Sequence, residues 1–117
     1  MRVQIKRAYD PPEKSDGKRY LIDRLWPRGK TKTSLKLEAW IKEVAPSNAL
    51  RKWFGHKPSR WKEFEKRYLT ELKAMDPAVW KPLSLSARKE KITLVYGAKD
   101  PLHNQAVVLA KFLSKKR

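Results

Sequence analysis

Two short stretches of the chain gather side chains that could do chemistry. "DRLWPRG" (23–29) holds Asp23, Arg24, Trp26, Pro27, Arg28 and Gly29, and "YGAKDPLHN" (96–104) holds Lys99, Asp100, His103 and Asn104. Forked guanidinium donors match carboxylate or phosphate bidentately, so Arg24 and Arg28 suit an anion, with Lys99 as a further cation. Trp26 offers a flat face to stack or wall a ring, and Gly29 would let backbone come close. His103 and Asp23 are the acid–base candidates, and Asn104 together with Asp23 would orient a ligand. Asp100 followed by Pro101 predicts a helix start, which adds backbone N–H donors except at Pro101 and biases a first-turn His103 toward its neutral form.

A third cluster, "RKWFGHKPSRW" (51–61), interleaves Arg51, Lys52, His56, Lys57 and Arg60 with Trp53, Phe54 and Trp61. Basic and aromatic residues mixed in this way can hold a nucleic-acid strand by charge and stacking. Each cluster also has a structural reading. Asp23, Arg24 and Arg28 could form an ion-pair network, His103 could bond a neighbouring loop, and Trp53, Phe54 and Trp61 could be a packing corner between helices. Without cysteine, and with two histidines, His56, His103 and Asp23 make a poor metal trio, and no metal or other cofactor is expected. Gly-rich phosphate loops, GxSxG elbows and HExxH helices are lacking.

The elements that must position these residues read as an alternation of strands and helices. Val3 and Ile5 alternate with Arg2, Gln4 and Lys6, as in a half-exposed strand, before a turn-rich loop over 9–18. "RYLIDRL" (19–25) is a buried strand, and 26–36 a basic, flexible-looking loop. Residues 37–44 fit either a strand or a helix, with a helix or a helical turn favoured. Ser47 and Gly55 bracket a short helix, and the stripe Trp61, Phe64, Tyr68, Leu69, Leu72 and Met75 marks the clearest helix, between 58 and 75. Asp76-Pro77 opens a helix to about Arg88, "ITLVYGA" (92–98) is a second buried strand, and the helix from Asp100 turns Leu102, Ala106, Val107, Leu109, Ala110 and Leu113 inward. The expected fold is therefore α/β: a small, mainly parallel sheet of three to four strands covered by helices. In such sheets ligands bind beyond the carboxyl ends of the strands, where both polar stretches would lie.

With 117 residues the chain fits one domain, 1–117, with 113–117 as a frayed basic tail. No apolar run approaches the roughly 20 residues of a membrane span, and a cytoplasmic protein is the expectation. Lysine and arginine number 29 against 12 acids, a formal +17 that attracts polyanions. Candidate nucleic-acid contacts are Lys30, Lys32, Lys36, Lys52 and Lys57. Oligomeric state is not legible.

Taken together, "KRAYDPP", "DRLWPRG", "APSNALRKWFGHKPSRWKEFEKRY" and "ITLVYGAKDPLHNQAVVLAKFL" resemble domain-of-unknown-function family 488, in its YeaO-like branch, from about residue 3 to residue 113. The resemblance implies a small cytoplasmic α/β protein with no established activity. It carries over Tyr9, Asp23, Arg24, Trp26, Pro27, Arg28, Gly29, Trp53, Phe54, Gly55, His56, Lys99, Asp100, His103 and Asn104, with a mild departure at Gly97, where the family commonly has Ala. The expectation is a ligand-binding domain of enzyme-like architecture for a phosphate-bearing anion. The alternative is a non-catalytic nucleic-acid-binding protein.

Overall fold

A computed structural model describes residues 2–115. Four strands, β1 (Val3–Arg7), β2 (Lys18–Leu21), β3 (Ala39–Trp40) and β4 (Ile92–Tyr96), form one sheet in the order β1-β4-β2-β3, and every neighbouring pair is parallel. β4 lies in the middle, with Leu94 opposite Ile5 on one side and Tyr20 on the other. Covered on both faces and flanked on both edges, it can be apolar or buried at every position, and all of "ITLVY" is buried. β1 is an edge strand and half-exposed throughout, as its alternation predicts.

The two faces of the sheet are covered unequally. Tyr20, Leu94, Ile92 and Tyr96 join the large core, packed by α2 (Asn48–Phe54), α3 (Trp61–Ala74), α4 (Pro77–Lys89) and α5 (Gln105–Ser114). Leu21 and Val95 point the other way and meet Ala8, Leu35, Trp26 and Leu37. Leu35 comes from α1 (Lys32–Leu35), a single turn capped by Thr31, within the segment expected to be a loop. The sequence signal there is weak because one buried leucine suffices to cover the small face.

Two other expectations are corrected. Residues 37–44 divide between the two expectations, forming β3 at Ala39–Trp40 and a helical turn of 3-10 type at Lys42–Val44 in place of a longer helix. Strand pairing wins: Glu38 N–H donates to the Arg19 carbonyl at 2.7 Å and Ile41 N–H to that of Leu21 at 2.9 Å, satisfying backbone groups a helix would have used internally. The last helix starts at Gln105, capped by Asn104, whose Oδ1 accepts from the Ala106 and Val107 amides. Asp100 instead closes a tight turn by accepting from the amides of Leu102 and His103. His103 therefore precedes the helix, and Leu102 is 70 % exposed. The inward face of α5 is Ala106, Val108, Leu109, Phe112 and Leu113, so Leu113 belongs to the core and not to a frayed tail. Residues 116 and 117 of that tail lie outside the described residues.

A buried polar cluster locks the 9–18 loop to the sheet. Asp16, 1 % exposed, accepts from Arg19 Nη1 at 2.7 Å, from Gln4 Nε2 at 3.1 Å, from Lys6 Nζ at 3.2 Å and from the Glu13 amide at 3.0 Å. Burial alone would raise its pKa, but the Glu13 amide, Lys6 and Arg19 outweigh that and hold the carboxyl below its usual range. Next to it Gly17 takes φ +65°, and a Cβ there would lie 2.1 Å from the Lys91 carbonyl oxygen, so only glycine fits. No helix among the described residues is long and apolar enough to cross a membrane.

Candidate functional site

The chain leaves β2 toward α1 on the small face of the sheet and leaves β4 toward α5 on the large face. Adjacent parallel strands whose continuations diverge to opposite faces open a crevice at their carboxyl ends. A cleft of about 510 Å³ lies there. Its walls are Asp23 to Pro27 after β2, Ala45 and Pro46 after the 3-10 turn, Arg51, Lys52 and Phe54 of α2 with His56 beyond it, Phe64 of α3, and Gly97, Ala98 and His103 to Gln105 after β4.

Asp23 spans the crevice. Its Oδ2 accepts the Gly97 amide at 2.8 Å, its Oδ1 accepts from Gln105 Nε2, and its carbonyl takes the Trp40 indole N–H at 2.6 Å. Burial pushes the carboxyl up to about 6, and the Gly97 bond, the nearby Arg51 charge and the Gln105 bond offset only part of that rise. Asp23 thus joins two strand ends and a helix start while titrating close to neutrality. The ion-pair network of Asp23, Arg24 and Arg28 that the sequence allowed gives way to these bonds, with Arg24 donating to backbone carbonyls instead.

His103 lines the same cleft. Its Nδ1 is 2.7 Å from Asp100 Oδ2, and its ring meets Trp61 edge-on with centroids 5.3 Å apart. Asp100 is held below the usual carboxylate range by the Leu102 amide and then by His103. With Nδ1 engaged, Nε2 is the ring nitrogen left to meet a ligand in the cleft. His56 enters from the α2–α3 turn, where Gly55 (φ 53°) and His56 (φ 56°) are both left-handed. A left-handed conformation is uncommon for a residue other than glycine, and it aims the exposed imidazole at the cleft.

Other expected residues are placed differently. Arg24 lines the cleft, but its Nη2 and Nε donate to the Ala45 and Pro46 carbonyls at 3.1 and 3.3 Å, tying two walls together. Asn104 is buried and fully used, its amide nitrogen donating to the Asp100 carbonyl at 2.9 Å while its oxygen caps α5. Trp26 walls the cleft, with its indole N–H donated to Lys30 O at 2.6 Å. Arg28, Gly29 and Lys99 are exposed and outside the cleft lining. Gly29 has open space around it and φ +80°, so its left-handed turn, not a close approach, calls for glycine. Lys52 is in the cleft, whereas Lys30, Lys32, Lys36 and Lys57 are not.

Arg51 and Gln105 were missed as site residues. Arg51 sits in a basic run that reads as solvated, although Ser47, which accepts the Leu50 amide, fixes where α2 begins and which way Arg51 faces. Gln105 directly follows the polar stretch 96–104 and carries no distinguishing signal of its own. No group of three or more His, Asp and Glu among the described residues could hold a metal.

The Escherichia coli protein YeaO, itself uncharacterised, is 48 % identical over 113 residues, covering 97 % of both chains. An uncharacterised protein of Mycobacterium tuberculosis is 37 % identical over 113 residues, covering 97 % of this chain and 94 % of its own. No solved structure matches significantly. Residues 2–117 match the family described as the inactive DUF488-N3 subclade, and with that match and the full-length relatives the chain belongs to this family.

Proposed function

We propose that the cleft binds a small phosphate-bearing anion and that binding, not turnover, is its task. The observation that carries this reading is the convergence of Arg24, Arg51 and Lys52 on one cleft whose single carboxylate among the described residues is Asp23. Arg51 is the anchor. Arg24 is committed to carbonyls and Lys52 is exposed, whereas Arg51 stands on α2 near Asp23 and spends one guanidinium nitrogen, Nη1, on Asn48 Oδ1 at 3.0 Å. His103 Nε2 and His56 would complete the contacts from the other walls, and Phe54, Phe64 and Trp26 supply the apolar floor that excludes water from a bound ligand.

The inactive description of the family supports binding without chemistry. So does the engagement of Asn104 and of Arg24 in the frame of the cleft, which leaves few polar groups for a reaction. An anion would sit where its charge meets Arg51, and a protonated Asp23 would accommodate it better than an ionised one.

The test is a calorimetric and amide-shift titration with inorganic phosphate and nucleoside monophosphates at about 150 mM salt. Expected is saturable binding that shifts 23–27, 51–56 and 97–105. Arg51→Gln should weaken it about 10- to 100-fold, the loss of one charge-assisted hydrogen-bonded contact. Shifts spread over exposed lysines, or an Arg51→Gln variant that binds equally well, would overturn the reading.

A further inference from the structure

Beside the cleft, we propose, the rim of the sheet is a surface for single-stranded nucleic acid, built from Tyr9, Trp26 and Trp40 and the cations around them. These three rings come from segments that are remote in sequence, following β1, following β2 and ending β3, and all reach the carboxyl side of the sheet. They form a connected strip. Trp26 and Trp40 meet edge-on with centroids 5.3 Å apart, Trp26 bonds the Lys30 carbonyl, and the Lys30 ammonium lies 5.5 Å from the centre of the Tyr9 ring. Tyr9 in turn donates its hydroxyl to the Arg28 carbonyl at 3.0 Å.

Every ring is pinned by its polar end: Tyr9 through its hydroxyl, Trp26 and Trp40 through their indole N–H groups. Yet Tyr9 and Trp40 remain 41 % and 37 % exposed. An aromatic ring held in place while exposed loses little freedom when a base stacks on it. Cations accompany the rings. Arg7 and Lys30 flank Tyr9, Lys42 lies 5.2 Å from the Trp40 ring, and Arg28 is exposed alongside. Arg7 also donates to the Ala98 carbonyl, so Arg28, Lys30 and Lys42 are the cations positioned for phosphates.

Rings that stack and cations that follow a backbone are what a single strand requires, because its bases can unstack and turn outward. A duplex hides its base faces, and an acidic peptide would use the cations but leave the rings idle. The formal +17 of the chain adds long-range attraction. The strip shares Trp26 with the cleft wall, but neither Arg51 nor Lys52 belongs to it, so strand binding can persist where phosphate binding fails.

The experiment is fluorescence anisotropy at about 150 mM salt with a labelled oligothymidylate of about 12 nucleotides lacking terminal phosphate, set against a duplex of equal length. Tyr9→Ala and Trp40→Ala should each weaken single-strand binding about 5- to 100-fold and leave duplex binding nearly unchanged. Lys30→Gln should reduce the slope of log affinity against log salt by about 0.7. Lys81→Gln on α4, outside strip and cleft, should change nothing. Should Trp40→Ala fold poorly, the wild-type indole resonances decide: Trp40, which lies outside the cleft lining, should shift with the oligomer together with Trp26, while Trp53, Trp61 and Trp80 stay. Equal affinity for strand and duplex, ring variants that bind normally, or unmoved Trp26 and Trp40 indoles would each overturn the proposal. Arg51→Gln should retain oligomer binding, so failure of the strip and failure of the cleft give different results.

Discussion

Replacing Asp23 by Asn should make the protein more stable at neutral pH. The Asp23 carboxyl ordinarily titrates at 3.8 and is raised to about 6 in the fold. Because the folded state holds the proton more tightly, folding is opposed once the group ionises. The cost is absent below pH 3.8, grows between 3.8 and about 6, and is complete above. Its full size, from the difference between those two values, is about 3 kcal/mol. Asparagine is neutral throughout and keeps an oxygen for the Gly97 amide, while its NH2 group can donate to Gln105 after that side chain turns over. Allowing for an imperfect second bond, the variant should gain about 1–3 kcal/mol at pH 7.5, which for a chain of this length is about 4 °C in Tm per kcal/mol. Urea unfolding of both proteins from pH 4 to pH 8 reads this directly. The gap between them should widen from pH 4 to about 6 and then stay constant to pH 8. An Asn variant that is less stable at pH 7.5, or a gap that does not depend on pH, would refute the placement of a strained charge at the crevice. The same substitution removes the negative charge facing Arg51, so phosphate should bind the variant at least as tightly at pH 7.5 as it binds the wild type at pH 5.

Other perturbations have equally definite outcomes. Asp16→Asn strips the buried Arg19 of its ionic partner and should cost about 3–5 kcal/mol in urea unfolding at pH 7. Because the Asp16 carboxyl is held low, its contribution is present at neutral pH and should fade as pH falls below the usual carboxylate range, the reverse of Asp23. Gly17→Ala places a methyl group against the Lys91 carbonyl at a positive φ and should lose about 3 kcal/mol or more, measured by thermal melting. Tyr68→Phe leaves the Val44 carbonyl without the hydroxyl that now donates at 2.7 Å, a loss of about 1–3 kcal/mol by the same assay.

Where the sequence pattern was strong, the physics it encodes was local. The α3 stripe repeats at helical spacing, the α2 cap and stop residues Ser47 and Gly55 act within a turn, and β4 is a continuous apolar run because it is buried on both faces. Where reading failed, the deciding interaction was distant. Residues 37–44 carry a strand pattern and a helix pattern at once, and β3 prevails because Ala39 and Trp40 find Tyr20 and Leu21, far away in sequence. α5 begins at Gln105 because Asp100 spends its side chain on its own turn, so the Asp-Pro start signal marks a bend four residues early. The site was legible in part for the same reason. Asp23 and His103 follow strands recognisable from their apolar runs and do reach one cleft. Arg51 joins them only through the packing of α2 over the crevice, and Arg28 points elsewhere although it shares a motif with Asp23.

The strand order has a consequence for how the chain comes into being. β1 and β2 have no contact in the ladder except through β4, which is the last made of the four strands. With synthesis at about 5–20 residues per second, roughly 4–18 seconds separate the emergence of β1 from that of its partner. During that interval the growing polypeptide holds β1 and β2 with no strand between them, and Leu21 and Ile22 cannot be buried as they are in the finished protein. Cooperative folding must therefore wait until residues 92–96 have left the ribosome, and a polypeptide ending before residue 92 should remain soluble only as an unfolded, cationic coil or be captured by a chaperone.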